Sequence, residues 1–464
     1  MRGPLVVVGD TLLDIDLCGR AKRLSPDAPV PVLDSLVESA RPGGAGLAAE
    51  LAARDGHEVV LVTALGDDPA GRRLAELLSR RVRLVRLPFD GETPVKQRVR
   101  AGGQSLLRLD SGDRPGVVRP TERDLRLVAD AVDDAGAVLV SDYGRGITSV
   151  RSLRTLLAST RSPVVWDPHP RGAVPVDGAR LVTPNRDEAA RFAVRAGLDV
   201  EDRHGDEPGL GVLGRQAACL VRTWRAHSVA ITLGARGALL SHGEAAPALV
   251  PSPSVPCPDP CGAGDRFAVA AAVALGQGAV TSEAVHAAVA SAADFVAAGG
   301  AAALGTSAPS AWAGLSGRGR PDTERAVVVA TGGCFDLLHA GHVATLRAAR
   351  ELGDRLVVCL NSDASVRRLK GPTRPLVPAE DRARVLEALE YVDEVVVFDE
   401  DTPVEVLRRI RPDVWAKGGD YAGTDVPEAA VLGEWGGQAV ILPYLDGRST
   451  TRLVATAASA PRSG

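Results

Sequence analysis

Short, unbroken apolar runs alternate with stretches of helical spacing along almost the whole chain. In the first part the runs fall at Leu5–Gly9, Val59–Leu65, Ala137–Asp142, Val164–Asp167, Arg180–Pro184 and Ser228–Leu233. Runs of this length with no polar alternation predict strands buried on both faces, in a largely parallel sheet covered by helices. The stretch Thr93–Asp110 behaves differently. It alternates around Gly102-Gly103 and predicts a β-hairpin standing off the main sheet as a lid or dimer surface. Ala297–Ala303 is rich in small residues and reads as a tight turn after a helix. Further on, Ala326–Ala330 and Leu356–Leu360 repeat the buried-strand pattern, with helical spacing over Val343–Leu352 between them. Ahead of this region lies Gly314–Arg325, rich in Gly, Arg and Pro and without a hydrophobic period. It reads as a linker at 316–325, dividing the chain into 1–315 and 326–464, each part of α/β class.

A length of 464 residues suits more than one domain. Hydrophobic residues at 45%, charged residues at 24% and a net charge of -4 are those of a soluble globular protein. With no Lys/Arg stripe, a nucleic-acid partner is not expected. No apolar run reaches the ~18 residues a membrane helix needs, and Leu5–Val8 is too short for a signal peptide core. The six cysteines show no paired spacing, which predicts reduced thiols and a cytoplasmic protein.

The densest chemistry lies in Thr331-Gly-Gly-Cys-Phe-Asp-Leu-Leu-His-Ala-Gly-His342. His339 and His342 stand three apart where a strand turns into a helix, and the glycines let backbone approach a ligand. A helix N-terminus offers unpaired N–H groups to an anion, and two imidazoles beside it can stabilise charge on a transferring phosphate. A zinc pair is the alternative, but it needs more ligands and only Cys334 is at hand. In the first part, Cys261-Gly-Ala-Gly-Asp-Arg-Phe267 leads into the apolar helix Ala268–Leu275. Gly262, Ala263 and Gly264 present N–H groups to a phosphate, and Asp265 stands where it can take a proton from an attacking hydroxyl. The plainer reading of Asp265 is a helix-capping carboxylate.

The His339-Ala-Gly-His342 turn resembles the His-x-Gly-His signature of nucleotidyltransferases with a Rossmann-like fold. The blocks Asn361–Ser365, Arg368–Pro375, Lys417–Tyr421 and Gly447–Thr451 agree with it. In the first part, Pro42-Gly-Gly-Ala-Gly46, Thr183-Pro-Asn-Arg-Asp-Glu188 and Thr232-Leu-Gly-Ala-Arg-Gly237 resemble the sugar, magnesium and nucleotide motifs of the ribokinase-like carbohydrate kinases. With Gly9-Asp10, Asp14, Ala28–Val32, Ser141–Tyr143 and Asp167-Pro168 added, the two halves together resemble the bifunctional enzymes of ADP-heptose synthesis, in the same order.

That resemblance implies a ribokinase-like domain with a β-hairpin lid, followed by an adenylyltransferase domain. ATP would phosphorylate heptose 7-phosphate at O1, and AMP would then be joined to heptose 1-phosphate. It implies that Asp10, Asp14, Gly43, Gly44, Lys96, Arg98 and Asp142 hold the sugar phosphate. Asn185, Glu188, Gly234, Gly237 and the Gly262–Gly264 loop would hold the nucleotide, with Glu188 reaching Mg2+ through water and Asp265 as base. In the second domain Gly333, Phe335, His339, His342, Asn361, Lys370, Lys417, Ser449 and Thr450 would bind ATP. A homodimer through the kinase domain is also implied. The chain departs from the kinase pattern at Leu47, where the family has Asn, at His169 with Arg171 in place of Lys, and at Arg266 in place of Thr. Two other readings stay open: an active adenylyltransferase with the first half as dimerisation scaffold, or a different sugar or polyol phosphate as acceptor.

Overall fold

The structure is a computed structural model that describes residues 1, 3–25, 31–101, 104–112, 116–198, 209–244, 246–255, 259–305, 326–418 and 428–442. The linker at 316–325, the Gly447–Thr451 turn, and with it Ser449 and Thr450, lie outside the described residues. Two compact units form. One takes the described parts of Met1–Leu198, Cys219–Ala235 and Ser252–Leu315; the other takes those of Asp199–Ala218, Arg236–Pro251 and Ser316–Gly464.

In the first unit the elements are β1 (Leu5–Gly9), β2 (Thr11–Leu24), β3 (Pro31–Gly44), α1 (Ala45–Arg54), β4 (Val59–Ala64), β5 (Arg83–Leu87), β6 (Val95–Ala101), β7 (Gln104–Ser111), β8 (Ala137–Ser141), β9 (Val164–Asp167), β10 (Leu181–Val182), α2 (Arg186–Arg195), β11 (Val229–Thr232) and α3 (Ala263–Gly276). Seven of the strands make one sheet in the order β11-β10-β9-β8-β1-β4-β5. The register places Val7 beside Leu139 on one side and Leu61 on the other, all parallel. The residues of β1 and β8 are buried throughout, which explains why they read as continuous apolar runs rather than alternating ones. The small-residue segment Ala297–Ala303 ends the helix Thr281–Ala297, turns at Gly299 with φ +102 and runs into a short 3-10 helix at Gly300–Gly305.

The two strands of the hairpin, β6 and β7, pair with Val99 opposite Leu107, and the Gly102-Gly103 turn lies outside the described residues. The hairpin is only half of a larger element. A separate four-stranded sheet runs β3-β2-β6-β7, in which the long strands β2 and β3 pair from Thr11 opposite Gly44 outward to Leu24 opposite Pro31. The sequence reading missed those two strands. Much of β3 is exposed, so burial imposes no alternation on it.

In the second unit, β12 (Val328–Gly333), α4 (Ala340–Arg350), β13 (Arg355–Asn361), α5 (Asp363–Lys370), α6 (Ala379–Glu387), β14 (Glu394–Phe398), β15 (Val414–Gly418) and β16 (Gln438–Leu442) follow in order. The strands form a parallel sheet in the order β14-β13-β12-β15-β16. Leu346, Leu356, Val358 and Leu386 belong to one core cluster, and Val357, Val406, Leu407 and Trp415 to another. The chain order reverses between β12 and β15, so the loop after β12 opens at a switch point where ligands of such sheets bind. An antiparallel pair, Ala238–Ser241 with Ala248–Val250, also groups with this unit.

Candidate active sites

The first site gathers at the carboxyl ends of β1, β8 and β9 and the start of α3. Asp10 directly follows β1 and is buried. Its carboxylate accepts hydrogen bonds from the backbone N–H groups of Arg145 at 2.9 Å and Tyr143 at 3.1 Å. Burial still holds its pKa above the usual carboxylate range, against the pull of those N–H groups. Asp142 follows β8 and accepts from Gly144 N–H and the Thr148 hydroxyl, each at 2.8 Å. Burial first, then the nearby Asp10, raise it to about 6.

The four-stranded sheet brings Asp14 into register with Lys96, and the Arg98 guanidinium donates to Asp14 at 2.8 Å. Gly43 and Gly44 end β3. A side chain on Gly43 would press on the Asp14 carboxylate at 2.5 Å, and Gly44 holds φ +62 as it starts α1. Of the seven residues read as sugar-binding, Asp10, Asp14, Gly43, Gly44 and Arg98 thus join through direct packing or hydrogen bonds, and Lys96 reaches the Tyr143 ring at 5.7 Å.

The N-cap of α3 is Gly262, with φ +83 and no side-chain cap. Asp265 therefore does not cap the helix. Its carboxylate instead accepts a hydrogen bond from the Tyr143 hydroxyl at 2.9 Å. Burial chiefly, opposed by that hydrogen bond and reinforced by Asp14, puts Asp265 at about 7, the range in which a carboxylate works as a base at neutral pH. Asp167, at the end of β9, is pushed well above its ordinary value by burial and by Asp265, and accepts from the Thr183 hydroxyl at 2.9 Å.

Asn185 and Glu188 form a reciprocal capping box on α2. The Asn185 side chain accepts from Glu188 N–H at 3.0 Å, and Glu188 accepts from Asn185 N–H at 2.9 Å. Gly234 and Gly237 both hold positive φ in the turn after β11.

The three departures have local accounts. Leu47 is buried in a small cluster with Leu51 and Ala301, and its methyl group lies 3.1 Å from where a Cβ on Gly262 would sit. It therefore supports the anion loop from beneath. Arg266 turns away, donating to Ser291 at 2.7 Å and pairing with Asp55. His169 accepts from Arg171 N–H at 3.1 Å, and burial first, then Arg171, lower it to about 4, so it stays neutral at pH 7.

In the second unit His339 is the N-cap residue of α4 and His342 lies one turn in. The rings stack with centroids 3.8 Å apart and 19° between planes. Burial, then His339 and Lys370, bring His342 down to about 4, so two adjacent imidazoles are not charged together at neutral pH. Nδ1 of His339 is buried without a hydrogen-bond partner. Phe335 holds φ +43, unusual for a non-glycine residue, packs over Gly333 and comes within 5.3 Å of the His342 ring. Asn361, at the end of β13, donates to Ser365 at 3.0 Å, and Lys417 pairs with Glu428 at 3.5 Å.

Two residues here escaped the sequence reading. Arg382 on α6 is buried and donates to the carbonyls of Cys334 at 2.5 Å and Asn361 at 3.0 Å and to the Asp363 carboxylate at 2.7 Å. It ties the loop after β12 to the loop after β13. Against burial, the pKa of Asp336 is held down by the Val377 N–H at 3.1 Å, by its pairing with Arg374 and by the Leu376 N–H at 2.6 Å. Within α6, Arg382 is one arginine among several charged residues, and nothing in the sequence marks it out.

Two family models match the chain: pfkB family carbohydrate kinase over residues 4–307 and cytidylyltransferase-like over 330–435. The Streptomyces coelicolor bifunctional protein HldE is 56% identical over 473 residues, covering 99% of this chain and 98% of that protein. The Pelobacter propionicus bifunctional protein HldE is 35% identical, covering 97% and 95%. The chain belongs to the HldE family. It is an enzyme with two transfers, a carbohydrate kinase followed by a nucleotidyltransferase, serving ADP-heptose synthesis with ATP as substrate. Among solved structures, Escherichia coli phosphofructokinase-2 in complex with fructose-6-phosphate is similar at 20% identity and TM-score 0.48, covering 64% of this chain and 94% of that one. No helix among the described residues is long and apolar enough to cross a membrane, and the five described cysteines are free.

Proposed function

We propose that residues 1–315 phosphorylate heptose 7-phosphate at O1 and residues 326–464 convert heptose 1-phosphate to ADP-heptose, with 316–325 as the boundary. The observation that carries the kinase half is the Asp265 carboxylate on the first turn of α3, tuned to about 7 and hydrogen-bonded to the Tyr143 hydroxyl. Ionised, Asp265 takes the proton of the anomeric hydroxyl as that oxygen attacks the γ-phosphorus of ATP. The bond to the β-phosphate oxygen breaks, and the Gly262–Gly264 N–H groups stabilise the charge on the moving phosphoryl group. Asp10, Asp14, Arg98 and Lys96 orient the sugar phosphate, and Gly234 and Gly237 shape the nucleotide turn.

Glu188 suits a magnesium ion held through water. Its carboxylate, fixed by the Asn185 N–H at the start of α2, would hold the ion through water. The ion, when bound, neutralises triphosphate charge. In the second unit a phosphate oxygen of heptose 1-phosphate attacks the α-phosphorus of ATP and pyrophosphate leaves. His339 and the neutral His342, with Lys370 and Lys417, stabilise the developing charge, alongside Ser449 and Thr450 and the loop of Gly333, Phe335 and Asn361.

The full-length chain assayed with ATP, CTP and a panel of sugar and polyol phosphates tests the substrates. Preference for heptose 7-phosphate and heptose 1-phosphate with ATP is expected; turnover of CTP with glycerol phosphate instead would overturn it. We also place the enzyme in the cytoplasm, in keeping with its free thiols, as a homodimer through the lid sheet. Val37, 67% exposed, and Leu107, 52% exposed, stand on that sheet. Sedimentation should find two copies, and a single copy refutes this.

A further inference from the structure

Tyr143 joins more of the kinase site than any residue assigned above. Its hydroxyl donates to Oδ1 of Asp265 at 2.9 Å, and its backbone N–H donates to Oδ2 of Asp10 at 3.1 Å. The ring lies on Gly44, where an added Cβ would meet it at 3.3 Å, and Lys96 Nζ is 5.7 Å from its centroid. One residue thus links the sugar-facing carboxylate through its backbone, and the glycine turn and the lid lysine through its ring, to the carboxylate at the start of α3.

We infer that Tyr143 is the positioning residue for the base: its hydroxyl holds the Asp265 carboxylate by one oxygen and leaves the other to take the sugar proton. This rests on reading Asp265 as the base. A carboxylate turns freely about its last bond unless one oxygen is fastened, and a base works only from hydrogen-bond distance of its proton. The phenol stays protonated across the working range, since burial and Asp265 push its own pKa well above 10. It is therefore a constant donor. Of the groups acting on Asp265, Asp14 raises its proton affinity, Lys96 lowers it, and Tyr143 lowers it more than Lys96 does. Asp167, close by, is itself pushed well above its ordinary value by burial and by Asp265.

The test is full-length Tyr143→Phe with heptose 7-phosphate and ATP, following kcat/KM against pH. Losing a hydrogen bond to a carboxylate should move the acid limb up by about one pH unit. That lowers kcat/KM at pH 7 about five-fold through ionisation alone, while the sugar KM stays within about threefold, since Phe keeps the ring against Gly44. A fluorinated tyrosine at 143, a stronger donor that keeps ring and hydroxyl, should move the limb down. Unmoved limbs in both variants, with Asp265→Asn inactive, would mean that Tyr143 only packs, and the inference fails while the base stands. An active Asp265→Asn would remove the base itself and this inference with it.

Discussion

Replacing His342 with Ala removes one imidazole of the stacked pair at the mouth of α4 and leaves His339 without its neighbour at 3.8 Å. The size of the loss follows from the protonation state. Burial, His339 and Lys370 hold His342 at about 4, so it meets ATP as a neutral donor rather than as a cation. Losing one preorganised donor in a water-poor site typically costs about 10²–10³ in turnover, roughly 2.7–4 kcal/mol. The assay is ADP-heptose formation from heptose 1-phosphate and ATP, with sugar phosphorylation in the same preparation as the internal control. Sites on separate units should show little coupling, so the kinase rate should hold. The neutral state adds a sign. Lowering pH from 8 to about 5 leaves His342 neutral in the free enzyme, so kcat/KM for ATP shows no limb near 6.5 that disappears in the variant. Loss of such a limb in His342→Ala, or a decrease below about threefold, would refute the reasoning.

Glu188→Gln keeps the capping box, because Gln serves that position as well as Glu. It should therefore raise the magnesium requirement of the kinase reaction alone, measured as rate against free Mg2+; an equal shift in both reactions would point to folding. Gly44→Ala would strain a backbone at φ +62 and bring a methyl group 2.5 Å from the Asp10 carbonyl. From the backbone alone the cost is about 1–3 kcal/mol, so the kinase rate and thermal midpoint should drop together while adenylyl transfer holds. An unchanged midpoint would contradict this.

The parallel sheets were legible because strands buried on both faces leave nothing to alternate, and β1 and β9 match their apolar runs end to end. β10 is shorter than its run, at Leu181–Val182. The glycine turn at Gly43-Gly44 and the histidine pair were legible because their chemistry is local: close approach in one case, i to i+3 spacing in the other. What stayed hidden depends on tertiary contact. The lid strand β3 is too exposed to carry a pattern, and β2 buries Thr11, Leu12, Leu13 and Asp14 in succession without alternating. Tyr143 lies beside a motif residue, yet its partner Asp265 is far along the chain. Arg382 acquires its role only because α6 lays it across two loop carbonyls. The choice between base and cap for Asp265 turned on the left-handed Gly262, which takes the cap position itself.

One chain carries two independent transfers, and Asp265→Asn separates them. Phosphorus NMR of the full-length variant should show no heptose bisphosphate from heptose 7-phosphate and ATP, while heptose 1-phosphate and ATP still yield ADP-heptose and pyrophosphate at the wild-type rate. An amide of the same size cannot accept the hydroxyl proton, so the kinase loss should be close to complete. Bisphosphate formed at near wild-type rate, or both products lost together, would contradict the account.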